Sequence, residues 1–294
     1  MMTKSHVPIS FVKAATFNCG NGHGTEQAPN SLYDKLHIKS DIKTIIPALS
    51  SEKTSFNEKV EELMEVALLL KKYVESELRS SHSVCVLGGD HSIALGSVAG
   101  TLLYDDNAAV IWFDAHGDIN TEISSPSGHI HGMPVAALLG LCSSALNGIP
   151  THYLKTENIF WIGVRDLDPG EREIANKLNL NMYSAEYVHR VGMAKVMNEI
   201  SMIIKQQNCK TLHLSFDIDG MDPSVVSATG TAVPNGLLQA DFEIFVKELS
   251  FLKHSADVEF RILDFVEYNP LLDKDGNTLE WCSEALKSLL EQMV

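Results

Sequence analysis

The strongest constraint in this chain is a repeated pattern. Short runs of β-branched and aromatic residues are each followed by a polar, turn-forming cluster and then a helical stretch. Segments 83–87 (SVCVL), 108–113 (AAVIWF), 158–164, 211–216 and 259–265 read as strands buried on both faces, and 9–17 reads as the opening strand. Residues 18–29 read as a glycine-rich loop. Ser55-x-x-Glu58 has the form of a helix capping box, and Val60, Leu63, Met64, Ala67, Leu68 and Val74 after it share one helical face. Residues 91–104 read as helical. A last helix over 279–293 would carry Leu279, Cys282, Leu286, Leu289 and Leu290 on one face. Regular alternation of this kind implies a parallel sheet covered by helices. A doubly wound open sheet and a closed β/α barrel both satisfy it, and both place function at the carboxyl ends of the strands.

With 294 residues, 45% apolar and 21% charged, the chain can bury a large core, and bulk disorder is excluded. No internal repeat or proline-rich linker divides it, so a single catalytic domain over 1–294 is expected. The net charge of −15 argues against nucleic-acid or anionic-membrane partners and is compatible with a cationic substrate. Cys19, Cys85, Cys142, Cys209 and Cys282 are odd in number and widely spaced, with no C-x-x-C, which implies reduced thiols in a cytosol. The longest uncharged apolar stretch, 133–142, is too short to span a bilayer. Lys13 interrupts the apolar segment near the start, so no signal peptide is expected, and the first few residues read as poorly ordered.

The strand-end rule can be applied directly. Gly88-Gly89-Asp90-His91-Ser92 follows the strand at 83–87, and Asp114-Ala115-His116-Gly117-Asp118 follows that at 108–113. Asp217-Ile218-Asp219-Gly220-Met221-Asp222-Pro223 follows 211–216, and Val266-Glu267 follows 259–265. In an extended D-x-H-x-D or D-x-D segment alternate side chains share a face, so the ligand types aim together. Taken singly, Asp90 or Asp114 would read as a helix N-cap, Asp219-Gly220 as a turn, and a histidine as a satisfied core or surface residue. That last reading holds for His6, His23, His37, His82, His152, His189, His213 and His254. It does not explain why four clusters gather at one sheet edge, where unneutralised carboxylates would repel one another.

Divalent metal answers that repulsion. His91, Asp114, His116, Asp118, Asp217 and Asp219 form an oxygen-rich set with two imidazoles and no thiolate, which tilts the choice to manganese, cobalt or zinc. Six ligands are too many for one tetrahedral zinc. They suit two ions ~3.5–4 Å apart with a bridging water that is hydroxide at neutral pH.

GGDHS, DAHGD, SFDIDGMDP and Glu267 within FVEYNP together resemble the ureohydrolases, the arginase and agmatinase family, in order and spacing over nearly the whole chain. Segments 127–132 (SGHIHG) and 163–171 (GVRDLDPGE) resemble arginase more than its relatives, and 229–231 (TGT) resembles the family's loop after the last aspartates. The resemblance implies an α/β fold of three layers, a doubly wound, mostly parallel sheet with helices on both faces. It implies two manganese ions per chain. His91, Asp114, Asp118 and Asp217 would hold one, and His116, Asp114, Asp217 and Asp219 the other. Asp118 would also bond the bridging hydroxide and pass its proton on. Glu267 would face the substrate guanidinium, and His131 would shuttle a proton. Asn120 and Ser127 would touch the substrate carboxylate, and Asp168, with Glu171 behind it, the α-amino group. The implied reaction cleaves the guanidinium of L-arginine to urea and L-ornithine, in a cytoplasmic homo-oligomer, trimer or hexamer.

A guanidinium is always cationic and planar, so a net negative site with a carboxylate would attract and orient it. The chain departs from the arginase pattern at His129, where arginases carry asparagine for carboxylate binding; chain-length preference could change there. Gly22-His23-Gly24 with Ala28-Pro29 is a loose version of the family's early loop, and the chain stops at Val294 without the longer tail of some trimeric relatives. The alternatives are a relative acting on agmatine, another guanidino acid or formiminoglutamate, a one-zinc amide deacylase, and a non-catalytic metal-binding relative.

Overall fold

The computed structural model describes residues 7–20, 22–38, 42–45 and 52–293. The strands are β1 (Ile9–Ala14), β2 (Ile42–Ile45), β3 (Ser83–Gly88), β4 (Ala109–Phe113), β5 (Ile159–Ile162), β6 (Asn181–Tyr183), β7 (Thr211–Asp217) and β8 (Glu259–Val266). They form one sheet in the order β2-β1-β3-β8-β7-β4-β5-β6, and every pairing is parallel. An open sheet with two edges excludes the closed barrel. The chain runs outward from β1 to β2, returns inside at β3, crosses to β4 and runs outward again through β5 and β6, leaving a gap between β3 and β4 that β7 and β8 later fill. The four strands β3, β8, β7 and β4 that carry the polar clusters are therefore neighbours. This is the sheet's topological switch, where open α/β sheets bind ligands.

Alternation along each strand builds the three layers. Ala109, Ile111 and Phe113 of β4 pack into one apolar cluster with helices Met193–Gln207, Gln239–Ser255 and Asn277–Leu290. Val110 and Trp112 pack into another with helices Phe56–Arg79, Ala94–Tyr104 and Pro134–Leu138. Stacked rings of Phe113, Phe216 and Phe265, 4.4 and 5.4 Å apart between centroids, lie in the first cluster near the strand ends.

Several sequence expectations are adjusted. The six expected strands are present, β1, β4 and β5 shorter than expected and β3, β7 and β8 each one residue longer, and β2 and β6 join them at the two edges. The Ser55/Glu58 capping box is formed at the start of helix Phe56–Arg79. Its buried stripe runs through Val60, Leu63, Val66, Ala67, Leu70, Val74 and Leu78, while Leu68 falls off it with 39% exposure. Lys71 of the same helix is buried and donates to the Ile149 carbonyl and Thr151 Oγ1 at 2.6 and 2.7 Å. The segment at 18–29 is not loop throughout, because helix Ala28–Leu36 starts within it with Pro29 in its first turn, where a missing N–H costs nothing. The segment at 91–104 begins as a 3-10 turn, His91–Ile93, before helix Ala94–Tyr104. The final helix starts two residues early, at Asn277, and buries Cys282, Leu286 and Leu289. All five cysteines are buried and free. His6 and the first six residues lie outside the described residues. Among the described residues no helix is long and apolar enough to cross a membrane.

Candidate metal centre

The GGDHS segment turns sharply at the end of β3. Gly89 is required there because a Cβ would lie 1.9 Å from the Thr16 carbonyl oxygen. Its N–H donates to Ala14 O and its carbonyl accepts from the Glu267 N–H, so the ends of β1, β3 and β8 are laced together. Asp90 caps the following turn through the Ser92 N–H and also accepts from Thr16 Oγ1 and the Cys19 N–H, all while buried. This is the N-cap reading, and it leaves His91 as the outward-facing ligand type.

His91 is 1% exposed, and its ring stacks on Trp112 at 4.2 Å and 13°. Its Nδ1 lies 3.0 Å from Asp114 Oδ2, 3.0 Å from Asp118 Oδ2 and 3.3 Å from Asp217 Oδ2. It has hydrogen-bond geometry to none of them. His116 Nδ1 lies 3.3 Å from Asp114 Oδ1 and 3.2 Å from Asp219 Oδ2. Two trios result, His91–Asp114–Asp118 and Asp114–His116–Asp219, each with its ligand atoms within 4.8 Å of one another and with Asp114 in common.

Backbone and side-chain donors aim the carboxylates. Asp114 accepts from Trp112 Nε1 at 3.0 Å and from the His116 N–H at 2.7 Å; no helix starts there, so the bond closes a turn and the N-cap reading does not hold at Asp114. Asp219 accepts from the Ala115 N–H and Thr231 Oγ1, and Asp217 from the Asp219 N–H. Arg165 braces this loop, donating to the carbonyls of Gly163, Asp219, Gly220, Met221 and Val233. Asp118 and Glu267 occupy the left-handed backbone region, at φ 49° and 66°.

The protonation balance of the cluster is in conflict. Burial and the Asp114 charge push Asp118 up to about 6, and burial with Asp219 and Asp114 pushes Asp217 well above the carboxylate range. Burial opposes charge on Asp114 too, but the adjacent imidazoles of His116 and His91 hold it low. Burial also opposes charge on both histidines, and the carboxylates around them override it and raise them. Groups that force one another off their ordinary protonation states, with an orphaned imidazole nitrogen at their focus, fit divalent cations of the kind that carboxylate and imidazole ligands bind.

Above the cluster lies a cavity of about 160 Å³ whose floor includes His91, His116, Asp118 and Asp217. His131 lines it, with Nδ1 donating to Glu267 Oε1 at 3.0 Å. Burial alone would lower the His131 pKa, but the bond to Glu267 and the nearby acidic charges hold it at about 9. Glu267 is not part of the lining; the same Oε1 also accepts from the His91 N–H at 2.8 Å. Asn120, Ser127, His129, Asp168 and Glu171 all line the cavity, and so do Ser125 and Thr231. Asn120 Nδ2 donates to Asp168 Oδ2 at 2.8 Å. Glu171 accepts from the Ile119 and Asp168 N–H groups, and burial pushes it up to about 7. Burial and the neighbouring His131 lower the His129 pKa.

Ser125 and the bond between His91 and Ser215 were not foreseen. Ser125 sits next to the SGHIHG segment and was within reach of it; Ser215 looks in the sequence like any strand interior. His213, expected to be a satisfied core histidine, is one, bonded to Thr101 and Asp264.

Residues 15–291 match the family model described as "Arginase family". An arginase of Staphylococcus aureus is 37% identical over 249 residues, covering 83% of this chain and 80% of that protein. The crystal structure of Entamoeba histolytica arginase in complex with L-ornithine superposes with a TM-score of 0.86 at 30% identity, covering 96% and 97% of the two chains. Bacillus caldovelox arginase superposes with the same score at 31% identity, covering 97% and 98%. The chain belongs to the arginase family and is an arginase-type ureohydrolase, a hydrolase of C–N bonds in linear amidines.

Proposed function

We propose that this chain cleaves the guanidinium of L-arginine to urea and L-ornithine at a pair of manganese ions. The observation that carries the reading is the two donor trios sharing Asp114 on the floor of a cavity. His91, Asp114, Asp118 and Asp217 would hold one ion, and His116, Asp114, Asp217 and Asp219 the other. Two such ions supply an acidified water as nucleophile and positive charge where negative charge develops.

The chain's own groups do the rest. The acidic site draws in a guanidinium, which Glu267 pairs with and orients toward Asp118. Asp118, through the carboxylate oxygen turned away from His91, accepts the proton of the attacking water and passes it toward the leaving amine. His131 donates Nδ1–H to Glu267, which leaves Nε2 to carry a proton between the cavity and solvent. Asn120, Ser127 and His129 receive the substrate carboxylate. Asp168, held by Asn120 and backed by Glu171, receives the α-ammonium. The L-ornithine in the Entamoeba histolytica complex is an amino acid of the expected product class and supports the choice of an α-amino-acid substrate. Five free buried thiols support the reading of a reducing, cytosolic compartment. A homo-oligomer, trimer or hexamer, is the assembly the resemblance implies, and light scattering measures its mass.

Manganese-loaded protein should release equimolar urea and ornithine from L-arginine. Urea from agmatine or another guanidino compound alone would overturn the substrate assignment and keep the chemistry. One tightly held zinc per chain would overturn the two-ion reading.

A further inference from the structure

Beneath His91, away from the cavity, runs a chain of buried polar groups that the reaction itself does not use. Asp264, fully buried in β8, accepts at Oδ2 from Ser97 Oγ at 2.5 Å, His213 Nε2 at 2.8 Å and Ser215 Oγ at 3.3 Å. Ser215 Oγ in turn lies 2.9 Å from His91 Nε2. Thr101 Oγ1 lies 2.8 Å from His213 Nδ1, tying the network to helix Ala94–Tyr104. Asp264 Oδ1 has no partner, a desolvation cost that packing gives no reason to keep.

We propose that Asp264 is a positioning residue for the ion that His91 would hold, acting through Ser215. A carboxylate only accepts, so the single Ser215 proton goes to Asp264. The Ser215 oxygen then accepts His91 Nε2–H. A neutral imidazole carries one N–H, so Nδ1 is left with its lone pair facing Asp114, Asp118 and Asp217. Were position 264 apolar, Ser215 could donate to Nε2 instead, and His91 would present an N–H to the carboxylates rather than a ligand atom. Trp112 fixes the plane of the ring, and the Ser215–Asp264 link fixes its rotation and proton. The negative charge behind the relay also raises the basicity of Nδ1. His116 has no such bond on Nε2 among the described residues, so the effect is confined to one ion.

The inference rests on the two-ion reading. The test is Mn²⁺ titration of metal-depleted protein, by calorimetry and by electron paramagnetic resonance, in wild type, Asp264→Asn, Ser215→Ala and the double variant. Wild type should take up two ions. Asp264→Asn should bind one as wild type does and the other ~10-fold more weakly, and Ser215→Ala should weaken that same ion by up to ~100-fold. The double variant should match Ser215→Ala alone, because Asp264 then has nothing to act through. The isolated-ion spectrum should persist in the variants at Mn²⁺ levels where wild type shows the coupled pair. If Asp264→Asn does not fold, Ser215→Ala, which leaves the other Asp264 bonds intact, must still loosen one ion only. Unchanged affinity in Asp264→Asn, equal weakening of both ions, or additive losses in the double variant would overturn the inference. Wild type binding fewer than two ions would overturn the two-ion reading as well.

Discussion

The two halves of the candidate metal centre are built differently. His91 is 1% exposed, stacked on an indole and bonded at its far nitrogen to a strand residue. The His116 side chain is 23% exposed, and its own N–H ties it to Asp114. The first half is an extension of the core, and the second belongs to a loop. Geometry in the deep half is therefore set by packing and should survive metal removal. In the shallow half the His116 ring is less enclosed by packing, so its position should lean more on the groups it ligates.

The most severe way to break this contrast is Asp114→Asn, since both halves share that carboxylate. Both ions should be lost on gel filtration, and urea formation should fall at least ~10³-fold. One retained ion, by elemental analysis, would mean the halves are independent. Next come His91→Ala and His116→Ala, each expected to remove one ion. In metal-free protein His91→Ala should also cost ~2–4 kcal/mol as a core truncation, lowering Tm by ~5–10 °C, while His116→Ala should stay within ~2 °C. Equal thermal shifts would erase the distinction. His131→Ala should leave both ions bound and cut turnover by ~10²–10⁴-fold; metal loss there would move His131 into the binding framework.

The smallest effect concerns the cavity wall. Glu171 sits at about 7, above ~4.3 for an unfolded chain, so the native state holds its proton more tightly. The stability this contributes is full below pH ~4 and lost as pH rises through 7. Between pH 5 and 8, metal-depleted wild type should lose about 2–3 kcal/mol relative to Glu171→Gln in urea unfolding. A pH-independent difference would show that the wall is wetter than its burial implies.

The sheet's centre was legible because strands covered on both faces must be apolar, and the polar residue that ends such a run stands out. Asp114, His116 and Asp118 announce themselves after AVIWF for that reason. The edges were not legible. β2, Ile-Lys-Thr-Ile, and β6, Asn-Met-Tyr, are short and half-solvated, so their patterns resemble loop. Leu68 misled because apolar identity is weaker than position around the helix. The His131–Glu267 bond joins residues 136 apart, and Asp264 reads as one more strand residue; both depend on which strands the topology makes neighbours.

Asp118 and Glu267 hold backbone angles that side chains other than glycine adopt at a cost of ~1–2 kcal/mol each. Glycine at either position would relax the backbone while removing an acid assigned to the reaction, and at 267 it would also strand the buried His91 N–H and His131 Nδ1–H that Glu267 satisfies. The strain is therefore tied to the site's own hydrogen bonds, and a thermostabilised variant of this enzyme should draw its gains from elsewhere in the molecule.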